Sequence, residues 1–167
     1  MKALDIAIYF LRMDTNKEVF QKNLVNKNGR NFYDGNAKLN KFLHLAQNIF
    51  FAKNEKLLFE DDLYAYDNGA VIPSVLEQYA RIYQNRNTIQ VEDIPEDISM
   101  FLKKFFLAFK NASLEDLISL SHEDVEWESK SHYYKKPDKK MDTKKNLQQY
   151  KKQYADIIKI MDRMAIA

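Results

Sequence analysis

With 167 residues, 46% of them hydrophobic and a net charge of +2, the chain has the apolar material for one packed domain and is not a disordered polymer. Three Gly and three Pro are too few for a sheet-rich fold with many hairpins, so long helices should dominate. The absence of Cys excludes disulfides, thiolate metal sites and a Cys nucleophile and fits a reducing cytosol, and no apolar run nears the roughly 20 residues that span a bilayer.

In chain order, Ala3, Leu4, Ala7, Ile8, Phe10 and Leu11 recur at helical spacing and predict an amphipathic helix over 2–13. This segment is broken by Asp5 and Arg12 and lacks a small-residue cleavage site, so it does not read as a signal peptide. Residues 14–36 are polar. Val19, Phe20, Leu24 and Val25 are spaced like a short helix, ahead of turn signals at Asn28-Gly29 and Asp34-Gly35. From Ala37 a wide apolar face (Leu39, Phe42, Leu43, Ala46, Ile49, Phe50) predicts the central helix.

Leu57-Leu58-Phe59 and Leu63-Tyr64-Ala65-Tyr66 flank the acidic turn Glu60-Asp61-Asp62 and predict a small hairpin. Asp67-Asn68-Gly69 turns the chain, and Pro73 starts a helix over 73–86, since its missing N–H falls where no intrahelical acceptor exists. Thr88–Val91 reads as a short extended piece. Pro95 opens an aromatic-rich helix carrying Phe101, Phe105, Phe106 and Phe109. Ser113 caps the next, with Asp116 near the positive end of its dipole.

The Lys-rich stretch Ser129–Asp142 reads as a linker, and 143–167 as one helix with a seam of Leu147, Tyr150, Tyr154, Ile157, Met161 and Met164. Charge divides at the same place. Residues 1–128 carry 15 Lys+Arg against 20 Asp+Glu, and 129–167 carry 11 against 4, giving an acidic body and a basic arm. The expected architecture is mainly α: a compact helical domain with a small β-hairpin over 1–128, with 14–36 as an insertion, then a basic linker over 129–142 and a C-terminal amphipathic helical arm over 143–167. On that reading, deletion of 143–167 leaves a folded body.

No phosphate loop, zinc helix or serine elbow occurs, and no catalytic, cofactor-binding or metal residue is assigned. His122 with Glu123, Asp124, Glu126 and Glu128 reads as a solvated acidic turn in preference to a cation site. The arm's lysines, with Tyr133, Tyr134, Tyr150 and Tyr154, offer phosphate contacts and stacking to nucleic acid, but a solvated, tethered helix is favoured over that use. A protein groove for Tyr150, Tyr154, Ile157, Met161 and Met164 is a third use, rivalled by docking on the chain's own body.

Five blocks in order, Lys2–Ala7 with Tyr9-Phe10, Lys38–Gln47, Leu58-Phe59 to Ala65-Tyr66, Gly69–Pro73, and Ser113–Leu117 to His122 and Trp127, resemble the Panacea, or SocA-like, antitoxin domain. The resemblance covers most of residues 1–130. It implies an antitoxin of bacterial or phage association that binds and neutralises a cognate toxin protein without catalysis, in the cytoplasm and away from membranes. One family scaffold serves unrelated toxins, and at least one relative delivers its toxin to a protease, so a cytosolic protease is a second implied partner. The chain departs from the pattern in the long 14–36 segment, in Gly69-Ala70 where Gly-Pro is common, and in the basic arm. Lys38, Lys41, His44, Gln47, Tyr66 and Asp67 are the motif positions expected to line a partner face, with toxin choice placed in the insertion or the arm. The oligomeric state is left open.

Overall fold

The central helix α2 (Asp34–Asn54) is buried on every side over most of its length, from Leu39 to Ala52. A helix so placed must be apolar all round or must satisfy its polar side chains internally, and this one does the second. Asn40, Lys41, His44, Gln47 and Asn48 are all buried and spend their polar atoms on irregular backbone and on other elements. Asn40 Oδ1 accepts from Ile72 N–H at 2.9 Å, and Lys41 Nζ donates to Ala70 O at 3.2 Å. Gln47 accepts from Leu58 N–H at 2.8 Å and donates to Phe59 O at 2.7 Å. The polar stripe of α2 is thus the template on which the non-helical segments are fastened.

The computed structural model describes residues 1–27 and 29–166; Asn28, half of one expected turn, lies outside the described residues, as does Ala167. Among the described residues the elements around α2 are α1 (Ala3–Met13), β1 (Leu24–Lys27), β2 (Arg30–Tyr33), β3 (Tyr64–Tyr66), β4 (Gly69–Val71), α3 (Pro73–Gln84), α4 (Glu96–Phe109), α5 (Leu114–His122), α6 (Val125–Lys130), α7 (Leu147–Gln153) and α8 (Ala155–Asp162). Short 3-10 turns cover Lys136–Lys139 and Thr143–Asn146. The fold is mainly α with two separate antiparallel hairpins, β1–β2 and β3–β4. Among the described residues no helix is long and apolar enough to cross a membrane.

Phe42 is the centre of the core. Its ring meets Phe10, Phe20 and Phe105 edge to face, with centroids 5.6, 4.9 and 5.4 Å away, so α1, the 14–23 loop and α4 converge on one side chain of α2. Such aromatic pairs add roughly 0.5–1.5 kcal/mol each beyond burial. Several expectations hold: Pro73 is the first residue of α3, Pro95 precedes α4, and Ser113 caps α5, its hydroxyl accepting from Asp116 N–H at 3.1 Å.

Other expectations change. The short helix at 19–25 does not form. Val19 and Phe20 enter the core from a loop tied down by Asp14, whose carboxylate accepts from the N–H groups of Glu18, Val19 and Phe20, while Leu24 and Val25 belong to β1. Helical spacing over seven residues is coincidence here: two apolar residues are buried by the loop, and Leu24 is 64% exposed. Asp34-Gly35 is not a turn but the start of α2. The partner of β3 is β4, through the turn at Asp67-Asn68, rather than 57–59, because Leu58 and Phe59 give their backbone groups to Gln47. Thr88–Val91 forms no strand.

The C-terminal part also departs from the expected free helix. Residues 131–142 run against β3: Met141 N–H donates to Leu63 O at 2.8 Å, Tyr64 and Lys140 form an isolated bridge, and Met141 is buried. The 143–166 segment breaks at Tyr154 into α7 and α8, and α7 packs along α2. The seam has its home on the chain's own body, with Tyr150, Tyr154 and Met161 in the core. Charge assists this docking. Lys130 and Lys145 reach Glu126, Lys140 reaches Asp62 and Lys151 reaches Glu55, so four of the arm's eleven basic residues meet the acidic body at close range.

Candidate functional site

Two places gather chemistry-bearing residues, one sealed and one open. The sealed one centres on Asp124, the N-cap of α6. Its carboxylate accepts from His44 Nε2 at 2.7 Å, from Asn48 Nδ2 at 2.8 Å, from the Tyr150 hydroxyl at 2.6 Å and from Glu126 N–H at 2.9 Å. On the other side of the imidazole, Ser121 Oγ stands 3.0 Å from His44 Nδ1 and accepts from Ala70 N–H at 3.2 Å. Serine, histidine and aspartate therefore stand in the order of a hydrolytic triad. All three are wholly buried, at 0% exposure, and the hydroxyl already holds a backbone N–H, so this arrangement ties α2, β4, α5, α6 and α7 together and offers no approach to a substrate carbonyl.

The electrostatics agree. Burial alone pushes the Asp124 carboxyl up, but the bonds from His44, Tyr150 and Asn48 outweigh it and hold the pKa below the ordinary carboxylate value. Burial and the adjacent Asp124 charge push the Tyr150 and Tyr154 phenols far up, which keeps both neutral, Tyr150 donating to Asp124 and Tyr154 accepting from Asn48. Glu126 is a second anchor. It receives Lys130 Nζ at 2.8 Å, Asp142 N–H at 2.9 Å and Asn146 Nδ2 at 3.1 Å, and these outweigh burial to hold its pKa low. The acidic run after His122 is thus divided: Asp124 and Glu126 face inward as structural acceptors, Glu123 and Glu128 face water.

The open place lies between the two hairpins. A cleft of about 170 Å3 is lined by Phe32 and Tyr33 of β2, Ala37 and Lys41 of α2, and Tyr66 and Gly69 of the second hairpin. At its rim, Arg30 and Asp67, 3.6 Å apart, form an exposed ion pair, and on the far side of that pair a second concavity is bounded by Tyr134, Lys136 and Lys139. Tyr134 is 100% exposed. The second hairpin is held from behind: Trp127 Nε1–H donates to Tyr66 O at 2.8 Å, and its indole stacks on the His122 ring, centroids 3.8 Å apart. His122, pushed below its ordinary pKa by burial and by the charge of Lys41, supports the turn as a neutral ring.

The expected partner residues divide accordingly. Tyr66 and Asp67 stand at the open cleft, and Lys38 is half-buried near the start of α2. His44 and Gln47 are buried; they share a helix face with Lys38 and Lys41, as their spacing requires, but that face is turned toward residues 58–59, β4 and α5. Lys41 is 2% exposed and reaches only the floor of the cleft. Tyr150, Tyr154 and Met161 are buried by docking, while Ile157 and Met164 are half-buried. Arg30 and Phe32 are not among the residues expected from the sequence, and Tyr134 and the lysines around it are expected only as contacts to nucleic acid, not as part of a protein-binding face. A bare exposed Tyr in a Lys-rich stretch is the available signal for Tyr134 and Lys136, and the hairpin that supplies Arg30 and Phe32 begins in a segment whose spacing predicts helix.

A family model for the SocA-like antitoxins, described as "Antitoxin SocA-like, Panacea domain", matches residues 39–128. No curated protein and no solved structure shows a significant match. The matched span runs from the core of α2 through the α6 segment that carries Asp124, Glu126 and Trp127; the first hairpin and everything after Glu128 lie outside it. The match covers more than half of the chain, and the chain belongs to the SocA-like antitoxin family, as a Panacea-domain protein.

Proposed function

We propose that this chain is an antitoxin that binds a cognate toxin protein and neutralises it by direct contact, using the face where the two hairpins meet the 131–139 loop. One observation carries the choice of face. The segments outside the family match, β1–β2 and 131–139, converge from opposite sides on the matched turn Tyr66–Gly69, so Arg30, Tyr66, Asp67, Tyr134, Lys136 and Lys139 bound one concave surface. A scaffold that adds its own segments around a turn of the family domain suits one fold to different partners. The content of that face, exposed Tyr and Arg around an apolar cleft, is that of protein-binding hot spots.

Proteolytic delivery is the second reading, and it places the same face on the toxin with another surface on the protease. Co-expression separates the two. The toxic product of a gene beside this one is induced with and without this chain, in a host with its cytosolic ATP-dependent proteases and in one lacking them. Occlusion predicts equal rescue in both hosts and an undiminished toxin level; rescue lost with the proteases, with toxin accumulating, shows delivery instead. Nucleic acid is the less favoured partner because four of the arm's eleven basic residues, Lys130, Lys140, Lys145 and Lys151, already pair with carboxylates of the body, which reduces the charge free for phosphates.

A further inference from the structure

We infer that the cleft between the hairpins is an anchor socket for a carboxylate carried on an apolar side chain or chain terminus of the protein partner, with Lys41 as its counter-ion. The inference rests on the antitoxin reading and specifies what the partner presents. Lys41 is a buried amine, 2% exposed, whose one hydrogen bond among the described residues is to Ala70 O at 3.2 Å. An ammonium has three donors and needs an opposite charge when desolvated. The lysine ion pairs among the described residues all join surface or half-buried lysines to carboxylates, and no carboxylate of the described residues lies within 4.0 Å of Lys41.

Lys41 lies at the inner side of the cleft. Gly69, at φ +117°, roofs the Lys41 chain without a side chain; a Cβ there would stand 2.5 Å from Lys41 Cε and 2.7 Å from Ser121 Oγ. Both Gly69 and Lys41 line the cleft, and the glycine lets the turn lie directly on the aliphatic end of the lysine, where any side chain would collide with it. The walls toward the mouth are Phe32, Tyr33, Ala37 and Leu76, and Arg30 stands at the rim. An incoming group therefore meets a largely apolar sleeve whose rim carries the Arg30–Asp67 ion pair and whose inner end holds Lys41, a buried lysine without a carboxylate partner among the described residues, which is the complement of an acidic group on a hydrocarbon stem. Burial has already drawn the Lys41 pKa down to about 7; a carboxylate in the socket restores the charged form, and that gain is available only on binding.

The test uses the full chain and a defined probe. The 15N-labelled protein is titrated at pH 6 with 3-phenylpropionate and, separately, with its neutral isostere 3-phenylpropanamide. The expected result is saturable shifts of the Ala37, Gly69 and Ala70 amides with the acid, at least about tenfold tighter than with the amide, a ratio equal to about 1.4 kcal/mol. Lys41→Met removes the discrimination and leaves the spectrum folded; Lys41→Gln is the second variant should Met perturb packing. Equal binding of acid and amide, discrimination that survives both substitutions, or no site-specific shift overturns the socket. If the acid binds as expected but Lys41→Met still rescues cells from the toxin in full, the socket takes a free small acid and the protein anchor is overturned. The titration needs no toxin, so it fails or succeeds independently of the antitoxin assignment.

Discussion

Removal of residues 143–167 will abolish the cooperative thermal transition rather than leave a folded body. The deletion takes Tyr150, Tyr154 and Met161 out of the core, strips the Tyr150 hydroxyl from Asp124 and the Asn146 amide from Glu126. Each lost large side chain is worth roughly 1.5–3 kcal/mol of burial, and each stranded charged acceptor costs a further 1–3 kcal/mol or more. Together these reach the whole stability of an ordinary domain, about 5–15 kcal/mol. Circular dichroism against temperature reads the outcome. A sharp transition within about 5 °C of the intact chain's would mean that α7 and α8 rest on the body without belonging to its core.

Asp124→Ala will be the most damaging single substitution, costing about 3–5 kcal/mol, because it leaves buried His44, Asn48 and Tyr150 facing a cavity with their donors unpaired. Asp124→Asn keeps the shape but cannot accept from all of them, and should cost less than Ala. The carboxylate also sets an acid limit. Its folded pKa lies below the ordinary value, so the stability it contributes is fully present above the unfolded carboxyl pKa, about 4, and is lost as pH falls through the folded value. Glu126 acts in the same direction. Urea melts of the wild type should therefore weaken progressively below about pH 4, and Asp124→Asn should flatten part of that decline. An unchanged slope in the variant would place the acid sensitivity elsewhere.

The helices are legible where apolar spacing is sustained, as in α1, α2, α3 and α4, which fall where residues such as Leu39, Phe42 and Ala46, or Ile98, Phe101 and Phe105, place them, and where a cap marks a shorter one, as Ser113 does for α5. Short segments are not. Val19, Phe20, Leu24 and Val25 satisfy a helix template by chance, and the decisive facts, the Asp14 carboxylate taking three backbone N–H groups and Gly29 turning at φ +75°, act at positions that no periodicity weighs. The seam of the C-terminal segment is visible in the sequence, but not what it faces; its match is the polar and apolar surface of α2, where Asn48 donates to the Tyr154 hydroxyl. The same limit explains the partner residues. Spacing puts Lys38, Lys41, His44 and Gln47 on one face, and only the pairing of Gln47 with residues 58–59 and of His44 with Asp124 tells that the face points inward. Composition makes the basic arm a solvated tether, whereas four of its lysines pair with carboxylates of the body, each exposed pair adding up to about 1 kcal/mol.

The measurement closest to the central claim is a calorimetric titration of the cognate toxin into the purified chain and into a variant carrying Arg30→Glu, Tyr134→Ala and Lys136→Glu. All three residues are exposed and outside the core, so the variant should melt within a few degrees of wild type. Direct neutralisation through the face between the hairpins and the 131–139 loop predicts a 1:1 or other fixed stoichiometry for wild type and at least about 100-fold weaker binding for the variant, equal to about 2.7 kcal/mol. Undiminished affinity in a folded variant would contradict the assignment of that face.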